Sequence, residues 1–366
     1  MEEFIPFSDE HVGEVADLYL IAVRGQNRPA PEYLREYFRE VFFRNPWVTP
    51  DIPSRVYVKD GRVLGFVGVI PRLMECRNKP IRVAAISPFM VDPRQNTGIA
   101  GLKLLRQVFT GPQDLSFTDG AANEASAVFT AAGAKVVSLY SFNWIRLLRP
   151  FETVRSGLSQ SASLRHLYGP AGLVTRPLDW LASKAPVSLL RKPVSRLVPE
   201  TVSVKTLFDC MQESRSREAI RPVRDAESLA WLLHQAGLGP GHAGLRSVVV
   251  STPDGVRCGW FVYYAQPGKA CSVLQVASLR KQQFGEVFGA LLEDAWNQGL
   301  AAIKGQAIPQ HLVTLTEQNC IFRQPYACVV GHASDPELMA AFQSGDTSIS
   351  RLDAGSWLRF SADSWA

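Results

Sequence analysis

The seven residues that follow Asp92, Pro93 and Arg94 have the types and spacing of an anion-binding turn. They are Gln95, Asn96, Thr97, Gly98, Ile99, Ala100 and Gly101. A helix N-terminus exposes backbone N–H groups without partners inside the helix, and its dipole favours negative charge. Glycine and alanine let a bulky anion come close to that backbone. The stretch therefore predicts a binding site for a phosphate or diphosphate group.

This turn joins a predicted strand to a predicted helix. The run Ile81–Val91 is apolar and typical of a strand. After the turn, apolar residues recur with helical spacing at Ile99, Leu102, Leu105 and Phe109. The order strand, turn, helix places the turn where a helix N-terminus can face an anion.

A β-meander precedes the turn. Arg55–Lys59 and Val63–Pro71 flank Asp60-Gly61, a strong signal for a two-residue hairpin, and Ile81–Val91 is the third strand. Pro88 inside this third strand predicts a local bend or bulge.

The turn and its surroundings resemble the pyrophosphate loop of the GNAT acyl-CoA-dependent N-acetyltransferases, whose pattern is Gln/Arg-x-x-Gly-x-Gly/Ala. The matching residues are Gln95 to Ala100. The resemblance implies acetyl-CoA or another acyl-CoA as co-substrate, with its diphosphate on the amides of Gln95 to Gly101. It also implies a splayed strand on which Phe89, Met90 and Val91 pair with the pantetheine, and a backbone N–H near Val91 that meets the oxyanion.

The predicted helix Asn123–Ala132 resembles the second cofactor segment of the same family, Asn-x-x-Ser-x-x-x-(Tyr or Phe). The resemblance places Asn123 and Phe129 beside the pantetheine. Many relatives carry a tyrosine at the Phe129 position as the acid that protonates the departing thiolate, and phenylalanine has no proton to give. Either Tyr140, in the predicted strand Lys135–Phe142, or water serves instead, or acyl transfer is weak or absent.

Acyl transfer to an amine also needs a base that takes a proton from the ammonium. Two carboxylates are candidates. Glu75 lies on or just after the second strand, and Asp92 ends the third. Each also fits a structural role, Glu75 at a solvated hairpin end and Asp92 as a cap of the loop.

The second half of the chain repeats the element order of the first. Its predicted strands and helix are Ser247–Ser251, Val256–Ala265, Cys271–Leu279, Lys281–Gly299, Ala301–Gly305 and Ala327–Val330. The turn Arg280–Gly285 lacks the two small residues that make room for a pyrophosphate. The repeat resembles the tandem GNAT arrangement of mycothiol synthase-like and Fem-type transferases, with a degenerate second copy.

These patterns predict a mixed α/β fold of two tandem GNAT-like domains, each a mostly antiparallel sheet flanked by helices. We expect an acyl-CoA-binding domain at residues 1–145, a basic, proline-containing linker at 146–224 and a degenerate second domain at 225–366.

Composition sets wider limits. The chain has 366 residues and 46% hydrophobic content, enough for two cores. Its acidic N-terminus lacks the pattern of a signal peptide, and no apolar run approaches the length of a membrane span, so we expect a cytoplasmic protein. The six cysteines and six histidines form no paired metal-binding spacing, so we expect no metal.

The net charge of +5 is unevenly placed. Residues 146–224 hold fourteen Lys/Arg against six Asp/Glu. A solvated linker explains this excess most simply, but it also suits an anionic cofactor, an acidic substrate, nucleic acid or weak contact with an anionic membrane surface. No helix-turn-helix spacing, zinc finger or aromatic-basic RNA motif is present, so we expect no DNA partner.

Three functions fit the sequence. The first is transfer of an acyl group, most simply acetyl, from acyl-CoA to a small-molecule amine such as an amino sugar or amino acid. The second is a Fem-like transferase using aminoacyl-tRNA, against which the intact CoA-type turn argues. The third is a non-catalytic binding protein, motivated by Phe129 and the degenerate second turn.

Overall fold

A computed structural model describes residues 2–95, 98–160, 175, 177–179, 181, 191–214, 217–238, 244–323 and 327–360, with no account of side chains at 98, 123 and 156–160. The chain forms two compact units. Unit 1 comprises residues 1–141, 217–235 and 325–366, and unit 2 comprises 142–216 and 236–324.

Strands and helices alternate along most of the chain, and their bounds are as follows. The first half holds β1 Glu2–Pro6, α1 Val12–Arg24, α2 Glu32–Phe43, β2 Arg55–Lys59, β3 Arg62–Cys76, β4 Lys79–Val91, α3 Gly98–Phe109, β5 Leu115–Ala122, α4 Asn123–Ala132, β6 Lys135–Val136, α5 Ser138–Ser141, β7 Asn143–Leu147 and α6 Pro150–Gln160. The second half holds β8 Val198–Thr201, α7 Val204–Glu213, β9 Ile220–Pro222, α8 Ala226–Gly237, β10 Leu245–Ser251, β11 Arg257–Tyr264, β12 Ala270–Ser278, α9 Phe284–Asn297, β13 Ala302–Gln306, α10 Leu312–Glu317, β14 Ile321–Arg323, β15 Ala327–Ala333 and α11 Pro336–Gln343.

Unit 1 is built on a sheet in the order β1-β2-β3-β4-β5-β15-β6, with β9 paired to β3. The predicted meander is confirmed, since β2, β3 and β4 pair antiparallel. Its hairpin turns at Asp60 and Gly61, both with positive φ. β5 then pairs parallel with β4 after the crossover through α3.

Two apolar clusters cover the two faces of this sheet. One contains Ala84 and Ile86 of β4 with Leu104 of α3 and Phe129 of α4. The other contains Val83 and Ala85 of β4 with residues of α5 and α11. Because successive strand residues point to opposite faces, α3 and α4 lie on one face, and α5 and α11 lie on the other.

Unit 2 repeats this pattern in the order β14-β7-β13-β12-β11-β10-β8. β10, β11 and β12 form an antiparallel meander, α9 follows, and β13 pairs parallel with β12. The predicted second meander and long helix are therefore confirmed, although the helix is shorter and begins with a 3₁₀ turn, Lys281–Gln283.

In each sheet, the strand next to one edge strand comes from the other half of the sequence. β7 follows the first repeat but pairs with β13 of unit 2, and β15 follows the second repeat but pairs with β5 of unit 1. The predicted strand Lys135–Phe142 is wrong beyond Val136. There Val137, Tyr140 and Ser141 are buried, a spacing of three and four residues that suits the helical turn α5 rather than a strand.

The compact units therefore do not follow the predicted divisions at residues 145 and 224. Residues 217–235 and 325–360, assigned to the linker and second domain in the prediction, pack in unit 1. Within the described residues, no helix is both long and apolar enough to cross a membrane.

Gly68 lies at a bulge where β3 and β4 change register. Ile86 pairs with Val69 and Phe89 with Val67, so Ser87 and Pro88 oppose Gly68 alone. The bulge predicted from Pro88 is confirmed. A Cβ on Gly68 would lie 2.5 Å from the Ser87 carbonyl oxygen and 2.7 Å from the Phe42 ring.

We predict that Gly68→Ala lowers the free energy of unfolding by about 1–3 kcal/mol, because the added methyl group overpacks the bulge. Urea unfolding followed by tryptophan fluorescence measures the change. Gly120→Ala is the matched control in the same unit, since a Cβ there meets nothing within 4 Å. Equal stability of the two variants would contradict the packing described.

Candidate functional site

A wedge opens in the sheet of unit 1 between β4 and β5. Their parallel pairing covers Val83 to Ala85 on β4 and Leu115 to Phe117 on β5. Beyond these residues β4 continues to Val91 along β3, and β5 continues to Ala122 along β15. Because β4 stays paired with β3 and β5 stays paired with β15, the two strands separate from each other while both remain in the sheet.

The strand pairing determines which backbone groups face the wedge. The N–H of Asp92 donates to the Leu64 carbonyl at 2.9 Å, so Asp92 and Met90 direct their backbone groups toward β3. By the same alternation, Phe89 and Val91 direct theirs toward the open side. The expected positions Phe89 and Val91 therefore direct their backbone groups into the wedge, beyond the described pairing of β4 with β5, whereas Met90 is paired with Phe66.

The N-terminus of α3 lies at the open end of this wedge. In an α-helix the first turn of N–H groups, here Gly98 to Gly101, has no acceptor within the helix. A Cβ on Gly101 would lie 3.2 Å from both Phe89 and Val91, so the small residue lets the helix approach β4 closely. Ile99 is largely exposed and Ala100 is buried.

The amides before α3, from Gln95 onward, were predicted to bind the diphosphate together with those of the helix. The structure supports this less for the residues before α3. The N–H of Gln95 donates to the Asp92 carbonyl at 3.2 Å and so belongs to a turn. Asn96 and Thr97 lie outside the described residues.

Asp92 anchors this turn. Its buried carboxylate accepts hydrogen bonds from the Arg94 backbone N–H at 2.9 Å and from Nε and Nη2 of the Arg94 guanidinium at 2.9 and 2.7 Å. These bonds hold the pKa of Asp92 below its usual value, although burial acts in the opposite direction. A lowered pKa makes the carboxylate a weaker proton acceptor, so the geometry suits a loop anchor more than a base.

Aromatic rings line the wedge on the side of α3 and α4. Phe89 meets Phe129 edge to face with ring centroids 5.5 Å apart, and Phe129 is 2% exposed. Asn123 is the first residue of α4, directly after β5 ends. The structure thus brings Phe89, Phe129 and the start of α4 to one side of the opening.

Glu75 and Tyr140 lie outside the candidate site. Glu75 is about 26 Å along β3 from Val67, the partner of Phe89, at a rise of ~3.3 Å per residue. Its carboxylate accepts from Arg221 Nη2 at 2.8 Å. Tyr140 belongs to the core on the sheet face opposite Phe129, where its hydroxyl donates to the carbonyls of Gly345 and Thr347.

A carboxylate that the sequence interpretation missed lies where the wedge begins. Asp119 follows Phe117, the last paired residue of β5, and Oδ1 accepts from the Gly355 N–H at 3.1 Å. The Ser356 hydroxyl donates to the other carboxylate oxygen, Oδ2. A Cβ on Gly355 would lie 2.5 Å from Ser87 Cβ and 3.7 Å from Asp119 Oδ1, so Ser87 and Asp119 flank the opening.

Burial raises the pKa of Asp119, opposed by the Ser356 hydrogen bond, the charge of Arg351 and the Gly355 N–H. A carboxylate with a raised pKa is a better general base near neutral pH. In the sequence, Asp119-Gly120 has the form of a turn, so the pattern does not indicate Asp119 as a candidate base.

The predicted basic middle segment is described only in part. Two of its first arginines form their hydrogen bonds and ion pairs within unit 2. Arg149 donates to the carbonyls of Leu300 and Trp296, both at 2.6 Å, and Arg155 pairs with Glu152. Most of residues 161–190 lies outside the description, so contact with a membrane surface stays a prediction.

Comparison with solved structures identifies the fold. No protein-family model matches the chain, and no curated protein matches its sequence. A probable N-acyltransferase from Enterococcus faecalis aligns over 91% of this chain and 73% of its own, with a TM-score of 0.58 and 12% identity. A GCN5-related N-acetyltransferase from Anabaena variabilis covers 92% and 73%, with a TM-score of 0.57 and 11% identity.

N-myristoyltransferase from Saccharomyces cerevisiae, solved with bound myristoyl-CoA, covers 90% of this chain and 78% of its own, with a TM-score of 0.52 and 14% identity. The predicted resemblance is thus confirmed at the level of fold. The chain has the fold of the GNAT N-acetyltransferases, in two units with mixed, mostly antiparallel sheets flanked by helices.

We predict that Asp92→Asn lowers the free energy of unfolding by about 1–3 kcal/mol at pH 7, because a buried charged hydrogen-bond acceptor is lost. The folded-state pKa of Asp92 lies below its unfolded value of about 3.9. The stabilisation is therefore present above that pH and lost as the pH falls through the folded value.

Urea unfolding at a series of pH values tests this prediction. The gap between wild type and Asp92→Asn should be constant from about pH 5 to pH 8 and shrink below about pH 4. Glu3→Gln, at an exposed position of β1, controls for loss of a surface charge. A gap that stays constant below pH 3 would contradict the role of the ion pair.

Proposed function

We propose that the protein is an N-acyltransferase that moves an acetyl group from acetyl-CoA to the amine of a small molecule such as an amino sugar or amino acid. The observation that carries this proposal is the open wedge between β4 and β5 with the N-terminus of α3 at its mouth. Its support is the shared fold with acyltransferases, some of which were solved with acyl-CoA bound.

The proposed cofactor position follows from the free backbone groups. The diphosphate binds the amides of Gly98 to Gly101, where the helix dipole favours its charge. The pantetheine then runs along β4 from Val91 toward Ser87, a path of about 13 Å at ~3.3 Å per residue. The thioester comes to lie where the strands converge, beside Ser87 and Asp119.

In the proposed reaction Asp119 accepts a proton from the ammonium of the acceptor, directly or through water. The free amine attacks the thioester carbonyl, and the backbone N–H of Phe89, the open-side amide nearer Ser87, stabilises the oxyanion. The attacking nitrogen loses its excess proton to water, and the C–S bond breaks as the intermediate collapses. The thiolate takes a proton from water, because Phe129 has none to give and Tyr140 lies on the other face of the sheet.

The packing at the wedge favours a short acyl group. The edge-to-face pair of Phe89 and Phe129 closes the side of α4, and Phe109 packs behind Phe129 at 6.2 Å. A long chain would have to displace the buried rings of Phe109 and Phe129. The packing therefore favours acetyl over longer acyl groups.

One observation favours a second function, a CoA-binding protein without catalysis. Phe129 is buried in the core where many acetyltransferases are expected to carry a tyrosine acid. The two functions share the cofactor site and differ in turnover. A Fem-like use of aminoacyl-tRNA gains no further support from the described residues.

We predict that CoA and acetyl-CoA raise the melting temperature of the protein and that Gly98→Asp abolishes the rise. An aspartate in the first turn suits the helix dipole, so folding is retained while the diphosphate is repelled. Gln107→Glu adds the same charge near the other end of α3, beside Arg55, and should leave the rise intact. No rise with wild type at millimolar CoA would remove the cofactor assignment.

We predict that Asp119→Asn lowers kcat/KM for acetyl transfer by about 10²- to 10⁴-fold, the usual contribution of a general base. The thermal shift with CoA should be retained. Ser356→Ala removes a hydrogen bond that lowers the pKa of Asp119, so its kcat/KM profile should move to higher pH. An unchanged rate in Asp119→Asn would exclude this base, and CoA binding without turnover over a broad amine panel would favour the non-catalytic function.

A further inference from the structure

Residues 191–198 of unit 2 form a surface segment, the basic strip, that carries three exposed cations. They are Arg191, Lys192 and Arg196, and none of them forms an ion pair or a side-chain hydrogen bond with a residue that the structure describes. The strip contains no acidic residue. Its positive charge is therefore available to an anionic partner.

Two valines lie among these cations. Val194 is 79% exposed, and Val198 is also exposed. A single exposed valine is common on protein surfaces, but valines interleaved with unpaired cations make a surface that is both apolar and basic. The cations alone would suit any anion, and the valines narrow the partner to one that also offers an apolar phase.

Hydrogen bonds fix the basic strip to unit 2. The Ser195 N–H donates to Oε2 of Glu293 on α9 at 2.9 Å, and the Leu197 N–H donates to Ser195 Oγ at 3.0 Å. The side chain of Leu197 is buried. Because this side chain is directed inward while the cations and valines stay exposed, the strip presents them as a defined surface.

Four exposed apolar side chains form a second surface, the apolar patch. Phe151 and Val154 are exposed on α6, with Val154 at 70%, and Leu178 and Leu181 are exposed as well. Each pair has the three-residue spacing of one helix face. The buried carboxylate of Asp179 accepts from the Phe151 N–H at 2.9 Å, so the two pairs lie on adjoining segments.

The strip and the patch are anchored at the same end of α9. Arg149, one residue before α6, donates to the Trp296 carbonyl at 2.6 Å, whereas Glu293 holds the strip. Glu293 and Trp296 are about 4.5 Å apart along the helix axis, at a rise of ~1.5 Å per residue. A broad partner can therefore contact both surfaces.

The charge of this part of the chain is one-sided. Residues 146–198 hold nine Lys/Arg and two Asp/Glu. Both acidic residues are buried. Glu152 pairs with Arg155, and Asp179 accepts from the first backbone N–H groups of α6. These two negative charges have partners inside unit 2 and do not offset the exposed cations of the strip.

We propose that the basic strip and the apolar patch together bind the surface of an anionic lipid membrane. The exposed cations attract anionic headgroups, and the valine, leucine and phenylalanine side chains enter the boundary between headgroups and acyl chains. A nucleic acid would use the cations but leave the exposed apolar side chains in water. The plane of a membrane reaches the strip and the patch at once.

Co-sedimentation of the full chain with vesicles tests the proposal. Vesicles of phosphatidylcholine and phosphatidylglycerol in equal parts should bind at least about tenfold more tightly than phosphatidylcholine alone, and salt should weaken this binding. Arg191→Gln combined with Lys192→Gln should weaken it by about twentyfold, since each charge near the surface contributes about fivefold. Val154→Ser combined with Val194→Ser should weaken it by about tenfold through the loss of apolar burial.

Matched double variants control for charge and for apolar surface. Lys79→Gln with Lys135→Gln removes two exposed lysines of unit 1, and Val256→Ser with Val313→Ser removes two exposed valines of unit 2. Both should bind vesicles as wild type does. Thermal unfolding without vesicles verifies that every variant is folded.

Equal binding of wild type to the two kinds of vesicle would overturn the proposal, as would unchanged binding in the variant that lacks Arg191 and Lys192. Tighter binding to tRNA than to anionic vesicles, retained when Val154 and Val194 are replaced, would assign the surface to nucleic acid instead. These outcomes are independent of CoA binding and of turnover.

Discussion

The parting of β4 from β5 is the constraint on which the candidate site depends. A strand can leave one neighbour only if the other holds it, and here β3 holds β4 to Val91 while β15 holds β5 to Ala122. Within the described residues, β4 and β5 do not pair with each other beyond Ala85 and Phe117, and backbone groups directed into the gap need partners from elsewhere. An extended, amide-bearing molecule such as the proposed pantetheine would pair with them in the way a further strand does.

β15, the strand that pairs with β5 on the side away from β4, lies far from β5 in the sequence. β15 starts at Ala327, more than half the chain away from β5. The residues after it complete the other face of the wedge, where Gly355 and Ser356 contact Asp119 and Phe360 packs on Phe38 and Phe42. The first unit is therefore complete only when residues 327–360 are in place, although the turn of the proposed cofactor site lies within the first hundred or so residues.

This separation explains what could and could not be predicted from the sequence. The meanders, α3 and α4 follow from local signals such as Asp60-Gly61 and the apolar spacing after Gly98. β7 and β15 each pair with a strand from the other half of the sequence. The contacts of Asp119 also come from a distant segment. No local sequence pattern specifies pairing between segments so far apart. Glu75 and Tyr140 are candidates by their position in the chain, and the structure places Glu75 at the far end of β3 and Tyr140 on the opposite sheet face.

The two units share one topology and differ in the turn that opens the helix. In unit 1 Gly101 lets α3 approach Phe89 and Val91, so the free amides reach the end of the wedge. In unit 2 the same position is a 3₁₀ turn, Lys281–Gln283, followed by Phe284, whose ring stacks on His311 at 3.6 Å. The Trp144 ring also occupies the space beside Gly305 on β13. Bulky side chains thus fill in unit 2 the space that small residues leave open in unit 1, and an identical strand order confers the proposed cofactor site on only one of them.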